Sequence, residues 1–353
     1  MDERTHPKLL FRTIFEDAGF SVAFRQDARD SWESVLEQCR YVPVSYTSRM
    51  QDYQWAYYKG FDESCEEISV VISRHHKPCA VWPLMYRGTD GSLTSSGEPL
   101  FPPMFCGDSG KITKSVLACC HDAAVAHARN RKMSAYTGQD VFMGTEGSGL
   151  GEWYLHAMKS SGKSGGVRHA AFADLRQPLA DIWSSLRKSY KSLIHSGDRL
   201  WRGGILLERG NEDVWEEFRS LHREVSGRQT RSLESWNIQH EAIVSGEAFL
   251  IYLKDENGRM VGGGLFHVSR DEGVYAVGAY DRSLFDRPIG HVVQWKAMTE
   301  MKRRGLHWYK IGMISHPGDR PKPTDKELSI SHFKEGFATH HFAALRFECP
   351  VWP

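Results

Sequence analysis

The chain has 353 residues, enough for two domains of ordinary size, and its 41% hydrophobic and 25% charged residues are usual for a globular protein. Its 45 basic and 44 acidic side chains give a formal net charge of +1, which disfavours an extended nucleic-acid groove and leaves room for contact with one RNA end. Seven cysteines without a C-x-x-C pair, a charged N-terminus and no apolar run near the roughly 20 residues of a membrane span predict a cytoplasmic protein with reduced thiols.

The first half of the chain alternates helix and strand patterns. Apolar residues recur at helical spacing over 30–39 and 112–131. Two β-rich runs, 67–74 and 79–86, flank a polar turn and predict an antiparallel hairpin. We expect these elements to belong to a first domain over residues 1–172.

A helix is predicted over 181–195, because apolar side chains recur there at three- and four-residue steps. Its other face carries Arg187, Lys188 and Lys191. These charges have two open interpretations, a solvated helix surface or a contact with phosphate groups.

A polar loop follows a second predicted helix at 213–225. The loop contains Arg228, Thr230 and Arg231 and reaches Trp236. Arginine presents paired donors that match carboxylate or phosphate, so these four residues are candidates for binding an anionic group of the substrate. An ordinary solvated surface is the alternative interpretation.

Strand signals dominate the next part of the sequence. Runs at 248–253, 260–269 and 274–280 are separated by short polar turns, and a helix from 292 leads to a further strand at 306–312. This order fits an α+β fold with a mixed, mostly antiparallel sheet flanked by helices. It does not fit a doubly wound parallel sheet.

Three stretches of the second half resemble the FemAB branch of the GNAT acyltransferases. They are 221–236, 290–305, and Ser331-His-Phe-Lys-Glu-Gly-Phe337, which is similar to the F-K-x-x-F element near the end of FemAB-like chains. The resemblance implies two GNAT-like domains in tandem. Residues 1–172 would be a degenerate domain that forms a wall for the substrate, and 173–353 would be the acyltransferase domain.

The resemblance also implies a donor site. GNAT enzymes hold the pyrophosphate of coenzyme A on a [QR]-x-x-G-x-[GA] loop at a helix start, and Arg287 and Gly290 match its Arg and first Gly. Val292 departs from the last position, and Pro288 donates no amide. Arg287, Gly290 and Tyr280 are therefore the expected donor-binding residues. The donor would be acyl-CoA or aminoacyl-tRNA, with no tightly bound cofactor and no metal.

Acyl transfer to an amine needs a neutral amine, a group that stabilises the oxyanion, and a route for the proton. Lys334 of the F-K-x-x-F element is the expected cation for the oxyanion, backbone amides near Tyr280 are a second source of stabilisation, and a surface lysine is the alternative reading of Lys334. His291 starts a predicted helix, whose dipole favours the neutral imidazole, and is a candidate base or a packing residue. Glu327 and His332 are further candidate bases.

Asp325 and Lys326 precede this element and either bind the acceptor or belong to a solvated turn. We expect an N-acyltransferase that moves an acyl group from acyl-CoA to an amino group of a small molecule, such as an amino sugar or a cell-envelope precursor. Two alternatives remain open. One is a FemAB-type aminoacyl or peptidyl transferase that contacts a tRNA acceptor end, and the other is a non-catalytic ligand-binding protein of the same fold.

Overall fold

The computed structural model describes residues 6–107, 110–144, 150–206 and 212–351. The chain divides into two compact units: the first comprises 1–167 and 344–353, and the second comprises 168–343. This division comes before residue 168 instead of after residue 172. The last segment of the chain also belongs to the first unit, although 173–353 was predicted to be one domain.

The first unit contains the helices α1 (Pro7–Asp17), α2 (Arg29–Gln38), α3 (Ser48–Lys59), α4 (Gly110–Asn130) and α5 (Glu152–Lys159). Its strands are β1 (Ser21–Phe24), β2 (Glu66–Glu67), β3 (Val70–Arg74), β4 (Lys77–Trp82), β5 (Met85–Tyr86), β6 (Leu93–Thr94), β7 (Met104–Phe105) and β8 (Ala135–Gln139). One antiparallel sheet has the order β1-β3-β4-β7, in which β3 and β4 form the predicted hairpin.

The last strand explains why the C-terminal segment belongs to the first unit. Strand β15 (His340–Pro350) pairs antiparallel with β8 from Arg346 opposite Gln139 onwards. Its Phe347 is buried, and its ring lies 5.5 Å from that of Trp153, centroid to centroid. Burial of large aromatic side chains contributes much of the stability of a core, so this strand completes the first unit.

Helix α4 matches the helix predicted over 112–131 and is amphipathic. Val116, Cys120 and Ala124 are buried on one side, and Lys114 and Asp122 are exposed on the other. None of the helices in the described parts of the chain combines the length and the apolar character needed to cross a membrane.

The second unit contains the helices α6 (Leu179–Ser185), α7 (Lys188–Leu200), α8 (Glu212–Ser226), α9 (Leu233–Val244), α10 (Ile289–Arg303) and α11 (Asp325–Glu335). Its strands are β9 (Lys163–Asp174, which begins in the first unit), β10 (Arg202–Leu206), β11 (Ala248–Lys254), β12 (Met260–Val268), β13 (Glu272–Tyr280) and β14 (Trp308–Ile314). Their order in the sheet is β10-β11-β12-β13-β14-β9, and all neighbours are antiparallel except β13 and β14.

Helices cover both faces of this sheet, as the alternation of side chains along β11 shows. Phe249 and Ile251 point into the core formed with α7 and α10, whereas Ala248 and Leu250 point into the core formed with α8 and α9. The predicted α+β class with a mostly antiparallel sheet is therefore confirmed.

Two local predictions were wrong. The single helix expected over 181–195 is broken between α6 and α7, where Leu186 is extended and the Arg187 amide donates to the Gly336 carbonyl instead of to a helical carbonyl. Trp236, which was expected in a loop, lies inside α9, because the Ser232 side chain caps this helix by accepting from the Ser235 amide.

Candidate functional site

The strands β13 and β14 separate halfway along their length. They pair in parallel only over Glu272–Val274 and Trp308–Lys310, and both continue beyond that point, to Tyr280 and Ile314. Within the described residues, the far halves of the two strands have no ladder between them. The result is an opening at the centre of the sheet.

Backbone amides of β13 face this opening. The Asp281 amide donates to the Val261 carbonyl of β12, so this group is not available to a ligand. Because N–H groups alternate in direction along an antiparallel pair, the amides of Tyr280 and Gly278 point away from β12, toward the open edge. Two donors at such an edge can stabilise an oxyanion.

Exposure along β13 shows on which side the opening lies. Tyr275, Gly278 and Tyr280 face α10 and are partly exposed, although they belong to a central strand. Val277 and Ala279 face α8 and are buried. Ala276, on the α8 side, is partly exposed as well, but from Val277 to Tyr280 the exposed residues are those that face α10, and we infer that the opening lies on that side. A bulge brings Tyr275, Gly278 and Tyr280 to one face, since Leu265 pairs with Val277 but Phe266 pairs with Tyr275.

The first turn of α10 forms one wall of the opening together with α11. A Cβ added at Gly290 would lie 3.2 Å from the ring of Phe333, so this close approach favours glycine. The ring of His291 packs 4.4 Å from Tyr190 and 5.1 Å from Phe333, centroid to centroid. Burial, helped by the nearby Arg187, lowers the pKa of His291 to about 4. His291 is therefore neutral at pH 7 and is a weak base.

Lys334 lies at the far end of β14. Its Nζ donates to the Met313 carbonyl over 2.8 Å, and a Cβ added at Gly312 would lie 3.0 Å from that Nζ. Burial lowers the pKa of Lys334. The structure thus brings Lys334 and His291 to the same region, since Phe333 contacts His291 and precedes Lys334 on α11.

Arg187 adds a second positive charge near this wall. Its guanidinium donates to the Tyr190 hydroxyl over 3.0 Å, lies 3.4 Å from Nδ1 of His332, and stacks on the Tyr190 ring. Arg187, Lys188 and Lys191 had two possible interpretations from the sequence, a phosphate contact or a solvated helix surface. The structure places Arg187 beside His291, where its charge contributes to the low pKa of that histidine.

The loop between β13 and α10 uses most of its own amides. The Arg287 amide donates to Leu284, the Ile289 amide donates to Arg287, and Pro288 has none. The Arg287 side chain is exposed and lies 3.7 Å from its neighbour Asp286. The amides of Gly290 and His291 in the first turn of α10 have no backbone partner within the described residues, and the same holds for Arg282, Phe285 and Asp286 earlier in the loop.

The remaining predicted residues of α11 lie at its other end. Glu327 closes a capping box with Thr324, and these hydrogen bonds lower the pKa of its carboxyl group. Glu327 is two turns from Lys334, about 10 Å along the axis. Asp325 and Lys326 are exposed in the same first turn. The structure therefore does not bring these three residues to the opening.

The candidate anion-binding residues after α8, namely Thr230, Arg231 and Trp236, form a separate cluster on the other face of the sheet. Nη1 of Arg231 lies 3.1 Å from Nε2 of His222 and donates to Thr230, and its guanidinium stacks over Trp236. Burial and the charge of Arg231 lower the pKa of His222 to about 4. Arg228 is exposed.

Among the described residues, no group of three or more His, Cys, Asp or Glu side chains is arranged to hold a metal ion. The polar groups on the elements around the opening are hydroxyls, amides, one imidazole and two cations.

Comparison with solved structures identifies the fold. The structure of FemX superposes with a TM-score of 0.65 at 13% identity, covering 94% of this chain and 97% of that chain. The C-terminal domain of a protein described as a lysylphosphatidylglycerol synthetase from Agrobacterium fabrum superposes with a TM-score of 0.57 at 10% identity, covering 91% of each chain. L-PGS from Bacillus licheniformis gives 0.56 at 12% identity, covering 90% of each.

These likenesses extend over nearly the whole chain and confirm the predicted FemAB-like fold. By sequence, no protein-family model and no curated protein matches the chain.

Proposed function

We propose that this protein transfers an acyl group, most specifically an aminoacyl group, from an activated ester to an amine. The observation that carries the proposal is the opening between β13 and β14. We propose that the amides of Gly278 and Tyr280, which point to the open edge of β13, act there together with the ammonium group of Lys334, which hydrogen-bonds the Met313 carbonyl of β14. A reacting carbonyl placed there would meet donors whose positions are already set, which is the main requirement for stabilising an oxyanion.

The reaction at this opening is an aminolysis. The nitrogen of a neutral amine attacks the acyl carbonyl, a C–N bond forms, and the carbonyl oxygen takes up negative charge. When the tetrahedral intermediate collapses, the C–O bond to the carrier breaks. One proton leaves the amine and one is taken up by the carrier hydroxyl, so protons balance. Lys334 would donate to the oxyanion by exchanging its bond with the Met313 carbonyl.

The proton is not assigned to His291 or Glu327. His291, with a pKa near 4, is a weak base in an aromatic enclosure, and the Glu327 carboxylate is engaged in the helix cap. We propose a positioning role for His291, in which its ring keeps Phe333 in contact with the first turn of α10. The proton would pass to the leaving hydroxyl or to water at the opening.

The loop before α10 supports an ester donor over coenzyme A. A pyrophosphate needs several free amides, and here Arg287 and Ile289 use theirs within the loop and Pro288 has none, which leaves those of Gly290 and His291 at the helix start. The Agrobacterium fabrum protein is described as a lysylphosphatidylglycerol synthetase, and the lysyl group in this name also favours an aminoacyl donor. We propose the aminoacylated end of a tRNA, with Arg187 as a contact for its backbone.

The acceptor is proposed at the level of its chemistry, an amine on a small molecule or cell-envelope precursor. The Arg231 cluster is a candidate anchor for an anionic part of that acceptor. Its guanidinium is held by Thr230 and by the Trp236 ring, so its direction is set before a ligand arrives.

A two-step experiment tests this proposal. Thermal shifts are measured first with coenzyme A and with a short RNA hairpin that ends in the tRNA acceptor sequence, because a ligand of the folded state raises its apparent stability. Charged hairpin and acyl-CoA are then offered with a panel of amines, and new amides are detected by mass spectrometry.

Amides formed from the charged hairpin support the proposal. Amides formed only from acyl-CoA would restore the donor first expected from the sequence. Formation of no amide with either donor would contradict acyl transfer and favour the non-catalytic alternative.

A further inference from the structure

One polar network at the opening has no part in the steps above. Tyr309 of β14 donates its hydroxyl hydrogen to the side-chain oxygen of Gln294 on α10, and Gln294 also hydrogen-bonds Tyr280 of β13. The Tyr280 hydroxyl in turn lies 3.0 Å from the Tyr275 hydroxyl. A single buried amide therefore connects the two strands across the point at which they separate.

The two β13 hydroxyls form the floor of the opening. A Cβ added at Gly278 would lie 1.8 Å from the Tyr275 hydroxyl oxygen, so the Tyr275 ring lies directly over this glycine. Likewise, a Cβ added at Gly262 would lie 2.9 Å from the Tyr280 ring. Both tyrosines are partly exposed, unlike Tyr309 and Gln294, which are buried. A ligand in the opening would therefore contact Tyr275 and Tyr280 before Tyr309 and Gln294.

This hydroxyl pair has hydrogen-bonding capacity to spare. Two hydroxyls carry two hydrogens, and their mutual bond uses one of them. Tyr280 also receives a bond from Gln294, so one O–H and several lone pairs of the pair have no partner within the described residues. Burial raises the pKa of Tyr275 to about 12 and that of Tyr280 well above 10, so both remain neutral.

We propose that Tyr275 and Tyr280 recognise a polar substituent beside the acyl carbonyl, and thereby select aminoacyl groups over plain alkyl acyl groups. The inference rests on the proposed acyl transfer and specifies its substrate. An α-amino group over the floor would use the spare O–H and lone pairs. An alkyl group would leave them unsatisfied and lower kcat/KM by roughly 10- to 100-fold, which corresponds to about 1.4–2.7 kcal/mol.

Gln294 acts through Tyr280 and is a positioning residue. It holds the Tyr280 hydroxyl toward Tyr275, and through Tyr309 it fixes the distance between the two strands. Gln294→Glu keeps the length of the side chain but replaces the amide donor. We therefore expect it to weaken the preference for aminoacyl donors, whereas a residue with only a packing role would leave the preference unchanged.

The test uses two donors that differ by one amino group. The same RNA hairpin is esterified with alanine or with propionate, and kcat/KM is measured for each donor with one amine. We expect the wild type to prefer the alanyl ester by about 10-fold or more, and Tyr275→Phe and Tyr280→Phe to bring this ratio close to one. Gly278→Ala, which keeps both hydroxyls but displaces Tyr275, should also lower it.

Tyr252→Phe is the matched control, because Tyr252 packs in the α8 and α9 core on the other face of the sheet and should leave the ratio unchanged. An unchanged ratio in both Tyr275→Phe and Tyr280→Phe would overturn the role of the tyrosines while leaving acyl transfer in place. Absence of transfer from both esters by the wild type would contradict acyl transfer itself, and the recognition role with it.

Discussion

Acidification should destabilise the second unit through His291, and the structure sets the size of the effect. The pKa of this imidazole falls from its ordinary value of 6.5 to about 4, because burial and Arg187 disfavour the charged form. In the unfolded chain the imidazole takes up a proton below pH 6.5, whereas in the folded chain it stays neutral until about pH 4. Above pH 6.5 the imidazole is neutral in both states and costs the folded state nothing. As the pH falls toward 4, protonation favours the unfolded chain and the free energy of unfolding decreases.

These two pKa values fix the magnitude. Between pH 7.5 and pH 5, a histidine that titrates at 6.5 when unfolded and at about 4 when folded loses up to about 2 kcal/mol of stability. His222 has the same values and should add a similar loss. Most carboxylates protonate below this window. Asp140 in the first unit, with a pKa raised by burial to about 6, acts in the opposite direction.

Variants isolate the contribution of His291. His291→Phe suits the aromatic surroundings of Tyr190 and Phe333 and cannot titrate. We expect its stability to fall by about 2 kcal/mol less than that of the wild type between pH 7.5 and pH 5, as measured by urea unfolding curves at each pH. His341→Gln, at an exposed position of the second unit, is the control. Equal losses in the wild type and His291→Phe would refute the reasoning.

Three further predictions follow from single contacts. Glu327→Gln should weaken the cap of α11 and lower stability by up to about 1 kcal/mol, with little change in turnover; a large loss of turnover with unchanged stability would show that Glu327 is the base after all. Arg231→Ala should raise the pKa of His222, as measured by NMR titration, because the charge of Arg231 helps to lower it; an unchanged pKa would contradict this. Gly138→Ala should destabilise the first unit by about 1–3 kcal/mol in thermal unfolding, since its Cβ would lie 2.2 Å from the Phe347 ring; no change in unfolding temperature would contradict that contact.

The fold was largely predictable because its signals are local. The alternation along 248–253 and the turns between the strands of the second unit predict an antiparallel sheet, and the structure contains it. Helix ends were less predictable where a distant group decides them. Arg187 interrupts a helical pattern because its amide bonds to Gly336, and no pattern near Arg187 signals this partner.

The candidate site was predictable only in part. Lys334 and His291 were selected through the FemAB-like motif and the helix start. In the structure Lys334 hydrogen-bonds the Met313 carbonyl of β14 and His291 packs on Phe333, and their roles stay predictions. Tyr275 and Gln294 were missed, because their meeting depends on a bulge in β13 and on which side of α10 faces the sheet. Tyr275 and Gly278 are three residues apart, a spacing that puts them on one face of the strand only if a bulge lies between them. The bulge can be recognised only once the pairing of β12 and β13 is known.

The transfer step itself offers the most direct test of the opening as an acyl transfer site. Single-turnover rates are measured for the wild type, for Lys334→Met, and for Lys326→Met as a control on the exposed first turn of the same helix. Lys334→Met should slow amide formation from an aminoacyl ester by about 100-fold or more, while folding stability changes by about 1 kcal/mol or less. Lys326→Met should keep the wild-type rate. An unchanged rate in Lys334→Met would contradict the assignment of the reaction to the opening between β13 and β14.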